Sequence, residues 1–359
     1  MTFGLARVAP RLASTFLAVL ITTGLLAGDG LAADAKPAKE LFGGVTLPTR
    51  GQSTPYGFYA KGCQAGAVAI PTDGPTWQAM RLSRNRRWGQ PQLISLIEKL
   101  SKDAARNDGW PGLLLGDISQ PRGGPMASGH ASHQIGLDAD IWLTPMPSRS
   151  LSPSEREKLP FTSMLQDNKF LTVDPKRWTP AHARLIMRAA SYPQVERIFV
   201  NPAIKKKLCE TWTGDRSDLG KVRPMYGHDS HFHIRIHCPA GATTCKPQAP
   251  VTAGDGCDKS LAWWFTKEPW AKPKADPDKP AKPVKPRFTM LSDLPKACTG
   301  VLMDQAVSSQ AAATFGGANA ATTVADVSSE NEDDAPAVAP ATIDLPGDVP
   351  VPLSRPSKP

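Results

Sequence analysis

Five of the seven histidines in this 359-residue chain fall in two short runs, residues 129–140 and 227–233, and both runs have a two-residue hydrophobic period. Phe232, Ile234 and Ile236 alternate with His231, His233, Arg235 and His237; Leu137, Ala139, Ile141 and Leu143 alternate with Asp138, Asp140 and Trp142. That period is the signature of a β-strand, in which successive side chains point to opposite faces. Each segment is therefore a strand with an apolar face for the core and a polar face carrying histidine or aspartate. If the two strands are neighbours, Asp140 and His233 meet on one face, with His231 two residues along. His133 comes from the loop feeding the first strand, and Gly136 gives that loop room to turn.

His133, Asp140 and His233 with one spare base, His231, are the inventory of a catalytic zinc site, where three protein ligands leave a position for water. Structural zinc sites are usually closed and cysteine-rich, and no cysteine interrupts this set. His130 suits a supporting position, a substrate contact or ligation of an additional metal. His228 is expected to hydrogen-bond within the site, and Asp138 to orient a neighbouring ligand. His182, on a helical segment with no ligand neighbour, reads as structural, and His237 as a packing or surface residue.

The rest of the chain sets the context. Arg7 and Arg11 precede an apolar stretch over 12–28 and small residues near 30–35, so residues 1–35 read as an export signal. Six cysteines, with no Cys-x-x-Cys pair, agree with an oxidising compartment and a disulfide-stapled body; Cys238 with Cys245 is the likeliest local pairing. After residue 298, eight acids face only Arg355 and Lys358 in a segment with little to bury, which reads as a disordered acidic tail over 299–359. The remaining chain is strongly basic, which for an exported protein implies an anionic envelope polymer rather than nucleic acid. Arg81, Arg84, Arg86 and Arg87 read as a solvated surface turn.

Residues 36–298 form one domain, interrupted by a Pro/Lys-rich stretch at about 271–286. Within it, helices are predicted over about 92–107, after Thr179-Pro180, and from Asn201-Pro202 toward Cys209. Strands are predicted at 113–115 and 195–200. Helices interspersed with short strands, and few long crossovers, give an α+β fold: a small antiparallel sheet carrying the zinc site, flanked by helices.

At these residues the chain resembles the penicillin-insensitive murein endopeptidases, within the wider group of lysostaphin-type, D-alanyl-D-alanine dipeptidase and hedgehog-type zinc domains. The resemblance rests on the block from Ser128 to Asp140, on Arg197-Ile198-Phe199-Val200-Asn201-Pro202-Ala203-Ile204, and on His231-Phe232-His233-Ile234-Arg235. It implies zinc ligation by His133, Asp140 and His233, with further metal near His130 in some related sites and a weak role for Asp174. It implies His231 as general base, with His228 and His130 stabilising an oxyanion or orienting substrate. It also implies disulfides Cys63–Cys298, Cys209–Cys257 and Cys238–Cys245. The implied reaction is hydrolysis of D-alanyl-diaminopimelate cross-links in the periplasm, with peptidoglycan peptides as partners. A zinc ion would activate water toward a pKa of about 7, and no β-lactam-sensitive serine would be needed. No nucleic-acid partner and no membrane insertion after signal removal are expected. Two other readings remain open: a non-catalytic wall-binding protein on the same fold, and a D,D-carboxypeptidase or dipeptidase that uses Arg122 and Ser128 to hold a terminal carboxylate.

Overall fold

A computed structural model describes residues 1–2, 36–271 and 288–317. The expected export signal, nearly all of the Pro/Lys-rich stretch and the acidic residues from 318 onward lie outside the described residues.

The strands are β1 (Thr54–Phe58), β2 (Lys61–Ala65), β3 (Val68–Ala69), β4 (Asp73–Gly74), β5 (Trp77–Ala79), β6 (Trp88–Gly89), β7 (Leu113–Leu115), β8 (Asp138–Trp142), β9 (Val195–Val200), β10 (Val222–Pro224) and β11 (His231–Ile236). The helices are α1 (Ala38–Gly43), α2 (Pro91–Asn107), α3 (Pro153–Lys158), α4 (Pro180–Ser191), α5 (Pro202–Thr211), α6 (Lys259–Trp263) and α7 (Ala297–Met303). Three helices begin as their sequences predict. Proline occupies the first turn of α2, α4 and α5, where its missing N–H costs no helical bond. The Asn201 side chain caps α5 by accepting from Ala203 N–H. At α4 His182 performs the structural role expected of it: Thr179 N–H donates to its Nδ1 at 3.0 Å, and its Nε2–H donates to Leu143 O at 3.0 Å.

Seven strands form the main sheet in the order β10-β9-β11-β8-β7-β5-β4. Its centre, β9-β11-β8-β7, is antiparallel as expected. The sheet as a whole is mixed, which corrects the purely antiparallel expectation: β10 runs parallel to β9, and β5 parallel to β7. Helix α5 lies between β9 and β10 in the chain, and α2 between β5 and β7, so both parallel pairs have the helical crossover that such pairing needs. β5 and β10 are three residues each, too short to show a period. One sheet face, with Ala139, Ile141, Ile198, Val200, Phe232, Ile234 and Ile236, shares a single core with Leu93, Ile97, Leu100, Ile186 and Ala190 of α2 and α4.

The three disulfides implied by the resemblance are present. Cys63–Cys298 ties β2 to α7, and the Arg122 guanidinium donates to Val301 O and Leu302 O at the end of that helix. The described structure continues past the expected boundary at 298, which corrects the tail assignment for residues 299–317. Val301 is buried on α7, Ala306 pairs with Thr49, and Thr314 pairs with Ala69. Val301 and Ala313 are buried there, although the composition of the segment is that of a tail.

Cys63–Cys298 and Cys238–Cys245 are separated by 235 and 7 residues. On chain entropy the long closure stabilises by about 5 kcal/mol and the short one by about 2 kcal/mol. Denaturant unfolding of Cys→Ala double variants should therefore show the larger loss for the Cys63/Cys298 pair; equal losses would contradict that ranking.

Candidate metal centre

The register of β8 against β11 builds the site. Asp140 lies opposite His233, Asp138 opposite Arg235, and Trp142 opposite His231. All six therefore share the sheet face turned away from the aliphatic core. His133 enters from the loop before β8 with a left-handed backbone, φ 68°. That loop closes over Gln64: a Cβ on Gly136, φ 70°, would stand 1.9 Å from Gln64 Oε1, so glycine is required there.

Each ring nitrogen can be assigned from its partner. His133 Nδ1–H donates to Ile118 O at 2.5 Å, and His233 Nε2–H donates to Asp138 Oδ1 at 2.9 Å. In the neutral rings this leaves lone pairs on His133 Nε2 and His233 Nδ1, which lie 3.4 and 3.5 Å from Asp140 Oδ1. His133 Nε2 and Asp140 Oδ1 are both buried with no hydrogen-bond partner. Buried polar atoms are nearly always paired, and lone pairs facing one another this closely repel unless a cation lies between them. Two imidazoles and one carboxylate with free lone pairs are a suitable donor set for zinc, so these residues fit the metal the sequence implies.

Protonation energetics agree with the assignment of His233 as a neutral ligand. Burial drives the His233 imidazole down to about 3, so it is neutral, as a ligand must be. Burial opposes charge on His133 too, but Asp140 and Asp138 outweigh it and hold that imidazole above its ordinary value. The two carboxylates thus favour a proton on His133 Nε2, which that nitrogen must give up to ligate a metal. Asp140 itself is kept far below the ordinary carboxylate range: burial opposes ionisation, and His231, His133 and His130 overcome it.

His130 and His231 occupy the more open side, with side chains 19% and 22% exposed. His130 Nδ1 and His231 Nε2 lie 3.5 and 3.7 Å from Asp140 Oδ2. Ligating atoms of His130, His133 and Asp140 all fall within 4.8 Å of one another. Two overlapping sets, completed by His130 or by His233, therefore share His133 and Asp140. His228 donates its Nδ1–H to Tyr226 O at 2.8 Å, and its ring stands 5.0 Å from that of His231. Burial, reinforced by His231, lowers His228 to about 4. His182 and His237 are not in this cluster, and Asp174 is engaged by Lys176 N–H and Arg177.

Asp138 orients its neighbours, as expected. It is fully buried and accepts from His133 N–H, His233 Nε2–H and both Nε and Nη2 of Arg235. One residue of the site was not singled out from the sequence. Asp117, just beyond β7, accepts from His130 Nε2–H at 2.9 Å and from Arg84 and Arg86 at 3.0 and 2.9 Å. Burial opposes its charge, yet these three partners pull its carboxyl down to about 2. Arg84 and Arg86 are therefore part of the site's support, which corrects the solvated-turn reading for both. Asp117 lies in a loop outside any periodic segment, and only its position after a buried strand could have marked it. Arg122 and Ser128 do not form the carboxylate clamp that the alternative carboxypeptidase reading would use. The Arg122 guanidinium is spent on the carbonyls of Leu47, Val301 and Leu302, and Ser128 interacts with Arg86.

Comparison with known proteins identifies the family. A family model described as penicillin-insensitive murein endopeptidase matches residues 55–303. The penicillin-insensitive murein endopeptidase of Haemophilus influenzae is 47% identical over 238 residues, covering 64% of this chain and 81% of the relative. The proteins of that name from Klebsiella pneumoniae and Yersinia enterocolitica are each 39% identical, covering 72% of this chain and 89% and 88% of the relatives. The matched region contains the whole histidine–aspartate cluster and all three disulfides, and the chain belongs to the penicillin-insensitive murein endopeptidase family.

Proposed function

We propose that this protein is a zinc-dependent murein endopeptidase that hydrolyses D-alanyl-diaminopimelate cross-links and is insensitive to β-lactams. The observation that carries the reading is the pair of buried, unpartnered atoms His133 Nε2 and Asp140 Oδ1, with His233 Nδ1 beside them. His133, Asp140 and His233 would hold the metal, and His130 is placed to join them or to serve an additional one. A zinc ion at this centre supplies Lewis acidity to the scissile carbonyl and to the attacking water.

The chain's own residues handle the protons. His231 shares the sheet face of His233 and remains partly open to solvent, so it is the group to take a proton from water and pass it to the leaving amine. His228 has a narrower role than the resemblance implies. With Nδ1–H committed to Tyr226 O and the ring kept neutral, its Nε2 accepts hydrogen bonds, so it orients a substrate N–H rather than stabilising an oxyanion. Asp117 and Asp138 fix the rings of His130 and His233. The D,D-carboxypeptidase reading is weakened because Arg122, its proposed carboxylate anchor, is buried against backbone carbonyls. The basic body suits a polymer rich in carboxylates, and a periplasmic location follows from the proposed substrate and from reading residues 1–35 as an export signal.

Purified protein incubated with cross-linked muropeptide dimers should yield monomers, and a chelator should stop the conversion. No turnover by zinc-loaded protein would refute the proposal. His231→Ala should keep its zinc by elemental analysis while kcat falls roughly 10²–10⁴-fold; loss of zinc would make His231 a ligand instead. Asp138→Asn should weaken zinc binding by about 10–100-fold in a competition titration, and unchanged affinity would remove its orienting role.

A further inference from the structure

Beside the histidine cluster lies a run of aromatic rings that the proposed chemistry does not use. Trp263 and Trp264, at the end of α6, have centroids 5.3 Å apart. Trp264 packs edge-on against Tyr226 at 4.8 Å, Tyr226 against Trp270 at 5.1 Å, and Trp270 against Phe170 at 5.8 Å. Tyr226 and Trp263 are each 39% exposed, and neighbouring Met225 is 37% exposed. Contiguous exposed apolar surface of this kind marks an interaction site. The rings are also held in place: the Tyr226 hydroxyl donates to Pro269 O, and Trp270 Nε1–H donates to Trp264 O.

We propose that this aromatic run is a stacking platform for the glycan strand of murein, continuous with the hydrolytic site; the choice of polymer rests on the function proposed above. Three observations favour a carbohydrate occupant. The platform adjoins the site directly, because Tyr226 O accepts the His228 Nδ1–H. A stem peptide entering the site is attached to a sugar that must then lie close by. The Tyr226 hydroxyl and Trp270 indole N–H are consumed internally, so these rings present faces and edges rather than hydrogen-bonding groups. Aromatic faces are the negative side of the ring quadrupole and attract the polarised C–H groups of a pyranose. Finally, the rings themselves stand on a short helix, a turn and loop residues and not on a strand, so the ring-bearing residues offer no ladder for an extended peptide. Exposed Lys259 and Lys267 border the same segment and suit the carboxylates of the polymer.

Binding to peptide-free glycan strands tests the platform separately from hydrolysis. The full chain, with chelator present, is titrated with such strands and with sugar-free cross-linked peptides. Trp263→Leu keeps apolar bulk without a wide ring face and should weaken glycan binding about tenfold, whereas Trp263→Phe should retain most of it. Met303→Ala, an exposed apolar position on α7, should bind glycan as the unaltered chain does. Equal glycan binding by the leucine and phenylalanine variants, or none by the unaltered chain, overturns the platform. So does a dimer that Trp263→Leu dissolves without any glycan binding, which would make the patch a contact between copies. Glycan binding without cleavage of dimers would leave the platform standing and remove the hydrolytic reading; cleavage without glycan binding would do the reverse.

Discussion

The buried ion pair between Asp138 and Arg235 is the interaction on which the site depends. These residues face one another across β8 and β11, with Nε to Oδ1 at 2.7 Å and Nη2 to Oδ2 at 3.2 Å. A one-residue slip of either strand would separate the pair and turn that strand's ligand, Asp140 on β8 or His233 on β11, to the opposite face. Asp138 is fully buried and Arg235 nearly so, and removing one partner of such a pair costs about 3–5 kcal/mol because the other charge is stranded. Arg235 is further fixed by the Tyr59 ring, 4.1 Å from its guanidinium carbon. The same carboxylate sets the His233 ring and binds the His133 main chain, so a single group determines register, tautomer and loop position.

A second layer reaches the site from distant parts of the chain. Asp117 holds His130 and is itself neutralised by Arg84 and Arg86. Arg122, in the loop between Asp117 and His133, anchors α7, and Cys63–Cys298 fastens that helix to β2. The end of α7, at Val301 and Leu302, thereby braces the loop that delivers a ligand. Rigid support of this kind is what a metal centre needs, because its ligands must be held before the ion binds.

Much of this was legible beforehand for a definite reason. Strand alternation is a local property, so the polar faces of 137–143 and 231–237 could be read without knowing the fold, as could the helices opened by Pro91, Pro180 and Pro202. The parallel edges were not legible, since three-residue strands have no measurable period. Asp117 was hidden because its importance comes from partners 31 and 33 residues earlier and 13 later in the chain. Arg122 was misjudged for the related reason that an arginine near a site resembles a ligand clamp until its donors are counted.

The chemistry available was readable from the chain alone: which histidines and aspartates exist, which share a strand face, and which disulfide framework the resemblance implies. Those properties follow from residue type and a two-residue period, both local. The folded arrangement was needed to show which nitrogen of each ring is free, that Asp138 rather than solvent satisfies Arg235, and that Arg122 is spent on a helix end. Such assignments depend on hydrogen bonds between residues as many as 180 positions apart, and no local pattern encodes contacts of that range.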